Sequence, residues 1–442
     1  MSKVKTFGEI DARSLEQLER CMEAGDADFG VLCADHHPGY SQPIGGAIAY
    51  EGYVSPSGVG YDIGCGNKAA QTELTRADLD AQGGVEQIMR EITRRISFGM
   101  GVPAMERVEH PVLDRIRSAD FAPQRKLSQL AASQLGTVGS GNHYVNVMED
   151  ENGQIWVGVH FGSRGFGHKT ASGFLALAQG LAFDVKAHEG ETDSPPVLFE
   201  IGSELGESYI AAMELAGEYA YAGRDAVVEK VLEILGAESG HEVHNHHNFA
   251  WREEHFGRTY WMVRKGCTPA RPGQEGFVGG SMGDESVILE GAASADATES
   301  LFSTVHGAGR VMSRTKAAGR VRRRPGGVQA PAGGARRTRR LDPGEAHAAS
   351  AQSCDGRPRG RGSVQGLRAA KAAFGRSGLV QRLGKTDRDR GTGKSAEGDD
   401  RRRRGGPAAI GRQLHRHEQE QESDRPEEER PRDDRRDPEG AG

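Results

Sequence analysis

The stretch Trp156-Val-Gly-Val-His-Phe-Gly-Ser-Arg-Gly-Phe-Gly-His168 decides the fold class, because an apolar run passes directly into a glycine-rich turn. Residues 154–161 are predicted to form a buried strand, with His160 on the face opposite Val157 and Val159. Residues 168–186, after the turn, are predicted to be helical. Apolar segments that alternate with turns in this way are typical of a packed α/β protein.

His160, at the end of this strand, is a candidate functional residue. Polar side chains that follow a rigid strand often belong to functional sites. Ser163 and Arg164 in the turn can donate hydrogen bonds to a phosphate. A histidine whose hydrogen bonds are satisfied within the core explains the same pattern.

Regular structure is predicted on both sides of this stretch. Helices are predicted over Ala12–Ala24, over residues 76–96 with an interruption at Gly83-Gly84, and over Glu204–Leu235. Strands are predicted over residues 29–34, residues 260–265 and Ser286–Glu290, and a Pro/Gly-rich loop over residues 34–46. At 442 residues the chain is long enough for one large domain or for two to three ordinary ones.

Composition narrows the class of protein. No run of about eighteen apolar residues exists, and the N-terminus lacks the apolar segment of a signal peptide, so neither a membrane span nor secretion is expected. The five cysteines are widely spread without a C-x-x-C pair, which fits free thiols in a reducing compartment, and a cytoplasmic location is expected. The net charge of −6 argues neither for nor against nucleic acid.

The composition changes sharply near Arg314. Residues 315–442 contain no Trp or Tyr, one Phe (Phe374) and one Ile (Ile410), and they carry runs of like charge. Such a segment buries too little apolar surface to offset its ordering entropy, so it is predicted to be disordered. Arginine-rich disorder can bind RNA. Out-of-frame translation of a GC-rich gene produces the same composition, and the two interpretations stay open at this point.

The segment Gly60-Tyr-Asp-Ile-Gly-Cys-Gly66 is the first candidate for a metal site. Its glycines allow the loop to bend, so that Asp62 and Cys65 can reach one centre, or the thiolate can bridge two ions. A thiolate beside oxygen and imidazole ligands suits Mn, Zn, Fe or Co better than Mg or Ca. A surface aspartate and a buried structural cysteine are the alternative.

Other histidines lie in similar surroundings. In Gly139-Ser-Gly-Asn-His-Tyr144, His143 could ligate a metal while Asn142 contacts a phosphate, or it could be a solvated loop residue. A denser group of imidazoles comprises His244, His246, His247 and His255, and spacing does not say which of them is a ligand. The candidate ligands are scattered along the chain, so they predict a site only as a set.

The segment Ser303-Thr-Val-His-Gly-Ala-Gly-Arg310 places His306 before a turn that can approach a phosphate closely. Arg310 offers a planar fork of donors for the same charge. Together with divalent ions, a histidine in this position could attack phosphorus in phosphoryl or nucleotidyl transfer.

Taken together, these motifs resemble the RtcB family of GTP- and Mn²⁺-dependent RNA-splicing ligases. The resemblance covers residues 25 to 314. It rests on the following motifs in family order: His37-Pro-Gly-Tyr40, Pro43-Ile-Gly-Gly46, Asp62-Ile-Gly-Cys65, Gly141-Asn-His143, His160-Phe-Gly-Ser-Arg-Gly-Phe-Gly-His168, His247-Asn248, Arg264-Lys-Gly-Cys-Thr-Pro269, Gly280-Ser-Met-Gly283 and His306-Gly-Ala-Gly-Arg310.

The resemblance implies a role for each matching residue. It implies two Mn²⁺ ions held by Asp62, Cys65, His143, His160 and His247, with the cysteine shared between them. It implies that His306 becomes guanylylated. The residues implied to contact GTP or phosphates are Asn142, Arg164, Gly280, Ser281, Met282, Gly283, Ala308, Gly309 and Arg310.

The implied fold is a single α/β domain, residues 1–314, with mixed sheets around a central metal and nucleotide cleft. The implied reaction joins an RNA 3′-phosphate or 2′,3′-cyclic phosphate to a 5′-hydroxyl through a histidine–GMP intermediate. A monomer is expected. Two alternatives remain: a dinuclear metallophosphoesterase acting on RNA ends, and an inactive pseudo-ligase that binds RNA through its basic tail.

Two departures from the family bear on activity. Asn146 stands where members often carry a Glu that reads guanine, which puts GTP selectivity in question. The match also stops near Arg314, inside a domain, and the family's later guanine-contacting Lys is missing. An abrupt break favours a frameshift over a natural tail, and the resemblance then implies a weakened or inactive product.

Overall fold

The computed structural model describes residues 3–186, 194–280 and 285–308, together with the backbone of one later strand over residues 365–371. All of them belong to one compact unit, Met1–Leu383. The fold is a mixed α/β arrangement, as the sequence predicts. Among the described residues, no helix is long and apolar enough to span a membrane.

The first sheet has five strands in the order β1-β2-β3-β11-β10. They are β1 (Lys3–Thr6), β2 (Phe29–His37), β3 (Ile44–Tyr50), β11 (Arg258–Lys265) and β10 (Asn248–His255). The β1–β2 pair is parallel and the other pairs are antiparallel. Helix α1 (Ala12–Ala24) covers this sheet with Leu18 and Met22.

The second sheet has seven strands in the order β13-β14-β16-β6-β7-β5-β9. They are β13 (Glu275–Val278), β14 (Ser286–Glu290), β16 (Gln365–Lys371), β6 (Tyr144–Asp150), β7 (Gln154–Phe161), β5 (Gly66–Thr75) and β9 (Glu242–His246). Strand β16 pairs parallel with β14 and β6, and the remaining pairs are antiparallel. The rest of residues 315–442, predicted to be disordered, lies outside the described residues.

Two small sheets complete the strands. One pairs β12 (Cys267–Pro269) with β15 (Ser303–Val305), and the other pairs β4 (Tyr53–Val54) with β8 (Phe199–Glu200). The shorter helices are α2 (Pro56–Val59), α3 (Arg76–Ala81), α4 (Gly84–Arg95), α5 (Pro111–Arg117), α6 (Ala122–Arg125), α7 (Ser128–Gln134) and α10 (Ala295–Glu299).

Two long helices fill the core. Helix α8 (Arg164–Ala178) and helix α9 (Glu204–Leu235) pack against each other, and α9 also packs on β5 and β7. The Ser203 side chain caps the start of α9 by accepting from the Gly206 N–H, and Gly236 ends the helix with a φ of 65°. Helix α9 packs its buried side chains against β5 and β7 of the seven-stranded sheet.

Several predicted elements are confirmed, and two predictions need correction. Helices α1 and α9, strands β7 and β14, and the break at Gly83-Gly84 lie where they were predicted. The loop predicted over residues 34–46 is wrong at both ends, because β2 continues to His37 and β3 begins at Ile44, and the two strands pair. The helix predicted over residues 168–186 lies instead at Arg164–Ala178, since it begins inside the glycine-rich turn and Gly180, with a φ of 71°, follows its end.

We expect Phe174→Ala to lower the free energy of unfolding by about 3–5 kcal/mol. Phe174 is fully buried, and its ring lies 4.8 Å from that of Phe121 and 5.2 Å from that of Tyr209. Urea denaturation followed by circular dichroism measures the loss. Met100→Ala, at a residue that is 86% exposed, is the control and should leave the midpoint unchanged; equal midpoints for the two variants would contradict the prediction.

Candidate metal and nucleotide site

The loop that carries Asp62 and Cys65 packs tightly on the end of β7. Gly60 and Gly64 have φ values of 84° and 68°, a region that glycine adopts without strain. A Cβ on Gly162 would lie 2.3 Å from Asp62 Oδ1, so this close approach requires glycine at position 162. The sequence therefore allows the loop to reach the residues that follow His160.

Three candidate ligands converge at this point. Cys65 Sγ lies 3.8 Å from His143 Nε2 and 3.6 Å from His160 Nε2, and the three atoms are within 4.8 Å of one another. Asp62 Oδ2 lies 3.0 Å from His143 Nε2. Sulfur, nitrogen and oxygen donors of this kind can hold Mn, Zn, Fe or Co.

The partners of the two imidazoles direct their Nε2 atoms toward the cysteine. His160 Nδ1 lies 2.6 Å from Asn67 Oδ1, and the Asn67 amide in turn donates to the Phe277 carbonyl at 2.8 Å. His143 Nδ1 lies 3.1 Å from the Val138 carbonyl. The Asn67 oxygen accepts, so the proton of His160 is favoured on Nδ1. His143 Nδ1 also lies 3.3 Å from Arg164 Nη1, so the contacts of His143 allow a proton on either ring nitrogen.

The contact between His143 and Asp62 bears on whether these residues can bind a cation. When its proton lies on Nδ1, His143 presents a lone pair at Nε2 to the carboxylate of Asp62, and two acceptors 3.0 Å apart need a proton or a cation between them. Cys65 adds a third electron-rich atom at the same place. The donor set therefore fits a bound divalent ion.

The ring of His247 lies next to that of His160, outside the group of three converging atoms. Its ring stacks on that of His160 at a centroid distance of 5.1 Å and lies 4.9 Å from the ring of His306. Its Nδ1 is buried and has no hydrogen-bond partner among the described residues, which leaves a lone pair or proton unsatisfied there. His247 is thus placed between the three converging ligands and His306, although it is not among the three atoms that converge most closely.

Burial sets the protonation of the site. Burial lowers the pKa of His160 and His247 well below 6.5, so both imidazoles are neutral at pH 7 and able to ligate a metal. Burial raises the pKa of the Cys65 thiol, and the neighbouring Asp62 carboxylate raises it further. Burial also opposes ionisation of Asp62, but the interaction with His143, which places a proton between the two atoms when no cation lies there, outweighs it and holds the Asp62 pKa below its usual value.

His306 is held by a residue that the sequence analysis did not single out. The backbone N–H groups of His306 and Gly307 donate to Asp35 Oδ2 at 3.1 and 3.2 Å. His306 Nδ1 lies 2.6 Å from the same oxygen, off the axis of a hydrogen bond. Asp35 was predicted to lie in a loop, but it is buried in β2 beside two histidines. This position indicates a functional role only once the strand is known.

The residues implied to contact the nucleotide lie in two places. Asn142 Nδ2 is 3.3 Å from His160 Nε2, and the Arg164 guanidinium packs against Gly139, where a Cβ would lie 2.0 Å from Nη2. An isolated bridge between Gly279 and Gly307 brings their neighbours Gly280 and Ala308 close together. The remaining candidates lie outside the described residues: Ser281, Met282, Gly283, Gly309 and Arg310.

The four histidines between positions 244 and 255 have different surroundings. His255 pairs with Glu253 at 2.8 Å, whereas His244 and His246 point toward the buried Arg224 of helix α9. Of the four, His247 alone stacks on His160. Asn146, on β6 opposite Gly158, is partly buried beside the site.

We expect stability to fall as the pH drops from about 6.5 to about 4, and His244→Gln to reduce this fall. Burial lowers the pKa of His244 to about 4, so in this window the unfolded chain binds a proton that the folded protein excludes. The difference corresponds to about 3 kcal/mol at the acid end. Urea denaturation of both proteins in steps of pH measures it, and parallel pH profiles would refute the assignment.

Comparison of the sequence with known proteins identifies the family of the chain. A family model described as tRNA-splicing ligase RtcB matches residues 27–332, beyond the change in composition at Arg314. The RNA-splicing ligase RtcB of Escherichia coli K12 is 33% identical over 65% of this chain and 75% of its own length. The tRNA-splicing ligase RtcB of Thermococcus kodakarensis is 31% identical over 69% of this chain and 77% of its own length. Because the family model covers more than half of the chain, the chain belongs to the RtcB family.

Proposed function

We propose that the protein is an RNA ligase that joins RNA 3′-phosphate or 2′,3′-cyclic phosphate ends to 5′-hydroxyl ends, with GTP as co-substrate. The observation that carries the proposal is the position of His306, one imidazole away from the converging Cys65, His143 and His160. Family membership supports the ligase activity. The end chemistry and GTP rest on the resemblance in sequence and on this geometry.

Asp35 prepares His306 for nucleophilic attack. Its carboxylate lies beside Nδ1 and favours a proton there, which leaves the lone pair of Nε2 available. In the proposed first step Nε2 forms a bond to the α-phosphorus of GTP and the bond to the β-phosphate oxygen breaks, so that pyrophosphate leaves. The GMP group then passes from His306 to the RNA 3′-phosphate, which at a cyclic end forms first when water opens the ring. The 5′-hydroxyl attacks this activated phosphate, and GMP leaves.

The candidate ligands would supply electrostatic assistance. Asp62, Cys65, His143, His160 and His247 would hold two divalent ions, proposed to be Mn²⁺, whose charge neutralises the phosphates. Arg164 adds a fixed positive charge beside His143, at a distance of 3.3 Å between Nη1 and Nδ1. Asn142 can donate to a phosphate oxygen from the same side.

We expect incubation with Mn²⁺ and GTP labelled at the α-phosphate to transfer label to the protein, and His306→Ala to abolish it. Without an imidazole at position 306 no nitrogen–phosphorus bond can form. Denaturing electrophoresis and autoradiography measure the label. The control is His241→Gln, at the residue directly before β9. Undiminished label in His306→Ala would contradict the assignment, whereas phosphate release from RNA ends without any label would favour the metallophosphoesterase.

We expect Asp35→Asn to slow formation of the label by about 100-fold or more while it leaves Mn²⁺ binding unchanged. An amide can present a donor to Nδ1 and so favours the wrong tautomer of His306. Rapid-quench measurements give the rate, and calorimetric titration with Mn²⁺ gives the affinity. A normal rate in the variant would show that Asp35 does not orient the nucleophile.

A further inference from the structure

Arg224 lies in the middle of helix α9 and is completely buried beneath the candidate metal site. Burial lowers its pKa to about 10, so the guanidinium still carries its charge at neutral pH. A buried cation is costly unless its donors are satisfied. The partners of Arg224 therefore indicate what this position contributes.

Two of its hydrogen bonds join two ligand-bearing segments. Arg224 Nη1 donates to the Gly64 carbonyl at 2.8 Å and to the Phe161 carbonyl at 2.6 Å. Gly64 directly precedes Cys65, and Phe161 directly follows His160. One nitrogen thus ties the metal-binding loop to the end of β7.

The other donors reach the strand that leads to His247. Arg224 Nε donates to His244 Nε2 at 2.8 Å, and Nη2 lies 3.0 Å from His246 Nδ1. His246 also lies 2.9 Å from the Gly64 carbonyl through the same Nδ1. The guanidinium therefore contacts the neighbour of each of three candidate ligands.

We propose that Arg224 is a positioning residue that fixes Cys65, His160 and His247 relative to one another for metal binding. It touches none of the proposed ligating atoms and acts through the backbone and through His246. Its planar fork can span two carbonyls and two imidazoles at once, which the single ammonium of lysine cannot do. The inference rests on the metal centre of the proposed function.

The test is the binding of Co²⁺ to the full 442-residue chain, measured by absorption spectroscopy. Cobalt bound to the Cys65 thiolate gives a charge-transfer band in the near ultraviolet, which Cys65→Ser should remove. We expect Arg224→Lys to weaken Co²⁺ binding by about 10- to 100-fold and to alter this band. Arg224→Gln, which keeps donors but fewer of them, provides a second variant should Arg224→Lys not fold.

Val231→Ala is the matched control, because it removes fully buried volume from the same helix away from the ligand segments. It should lower the melting temperature and leave the cobalt affinity and spectrum unchanged. An Arg224→Lys or Arg224→Gln spectrum and affinity within about twofold of wild type would overturn the proposal, as would equal weakening in Val231→Ala. A wild-type protein that binds Co²⁺ without the thiolate band would refute the metal centre itself, and so separates that failure from the failure of Arg224.

Discussion

The hydrogen bond from the His247 N–H to the Cys65 carbonyl, at 2.8 Å, continues the β5–β9 pairing to the point where the chain passes from one large sheet to the other. His247 is the single residue between β9, at the edge of the seven-stranded sheet, and β10, at the edge of the five-stranded sheet. The Gly64 N–H donates to the Asn248 carbonyl at 2.9 Å and closes the same junction from the other direction. These two hydrogen bonds fix the backbone where the chain crosses between the sheets, and so bring residues of both sheets together.

The junction is polar and buried, and this combination explains its chemistry. Buried imidazoles are held neutral by the cost of desolvating a charge, so His160 and His247 present lone pairs where an exposed histidine would partly protonate. Each lone pair must then find a partner. Asn67 satisfies the far nitrogen of His160, whereas the buried Nδ1 of His247 finds no hydrogen-bond partner in the described part of the chain, and a ligand could satisfy it.

Sequence patterns predicted those elements whose signals are local. Helix α9 and strand β7 follow from periodicity and from a continuous apolar run, and the glycines beside Asp62 indicated that its loop could bend. Strands β5 and β6 were not identified, because each is short of strict alternation and its identity depends on pairing with β7. Family motifs identified the residues that converge, but they did not identify their supports.

Asp35 and Arg224 illustrate why those supports were missed. A carboxylate in a strand and an arginine in a helix are ordinary solvent-exposed residues in most proteins. Their importance comes from long-range partners, Asp35 with His306 and Arg224 with Gly64 and Phe161. No local pattern encodes contacts between residues that are 63 to 271 positions apart.

The two supports divide the site into parts that can be perturbed separately. Asp35 and His306 are held by β2 and by the small β12–β15 sheet, whereas Arg224 acts on the loop before β5 and on the end of β7. The two groups meet at His247, whose ring lies between those of His160 and His306. A change on either side can therefore act on the other through this imidazole. The His247 ring therefore lies between the candidate nucleophile and the candidate ligands, and the Cys65–His247 hydrogen bond holds the backbone from which this ring projects.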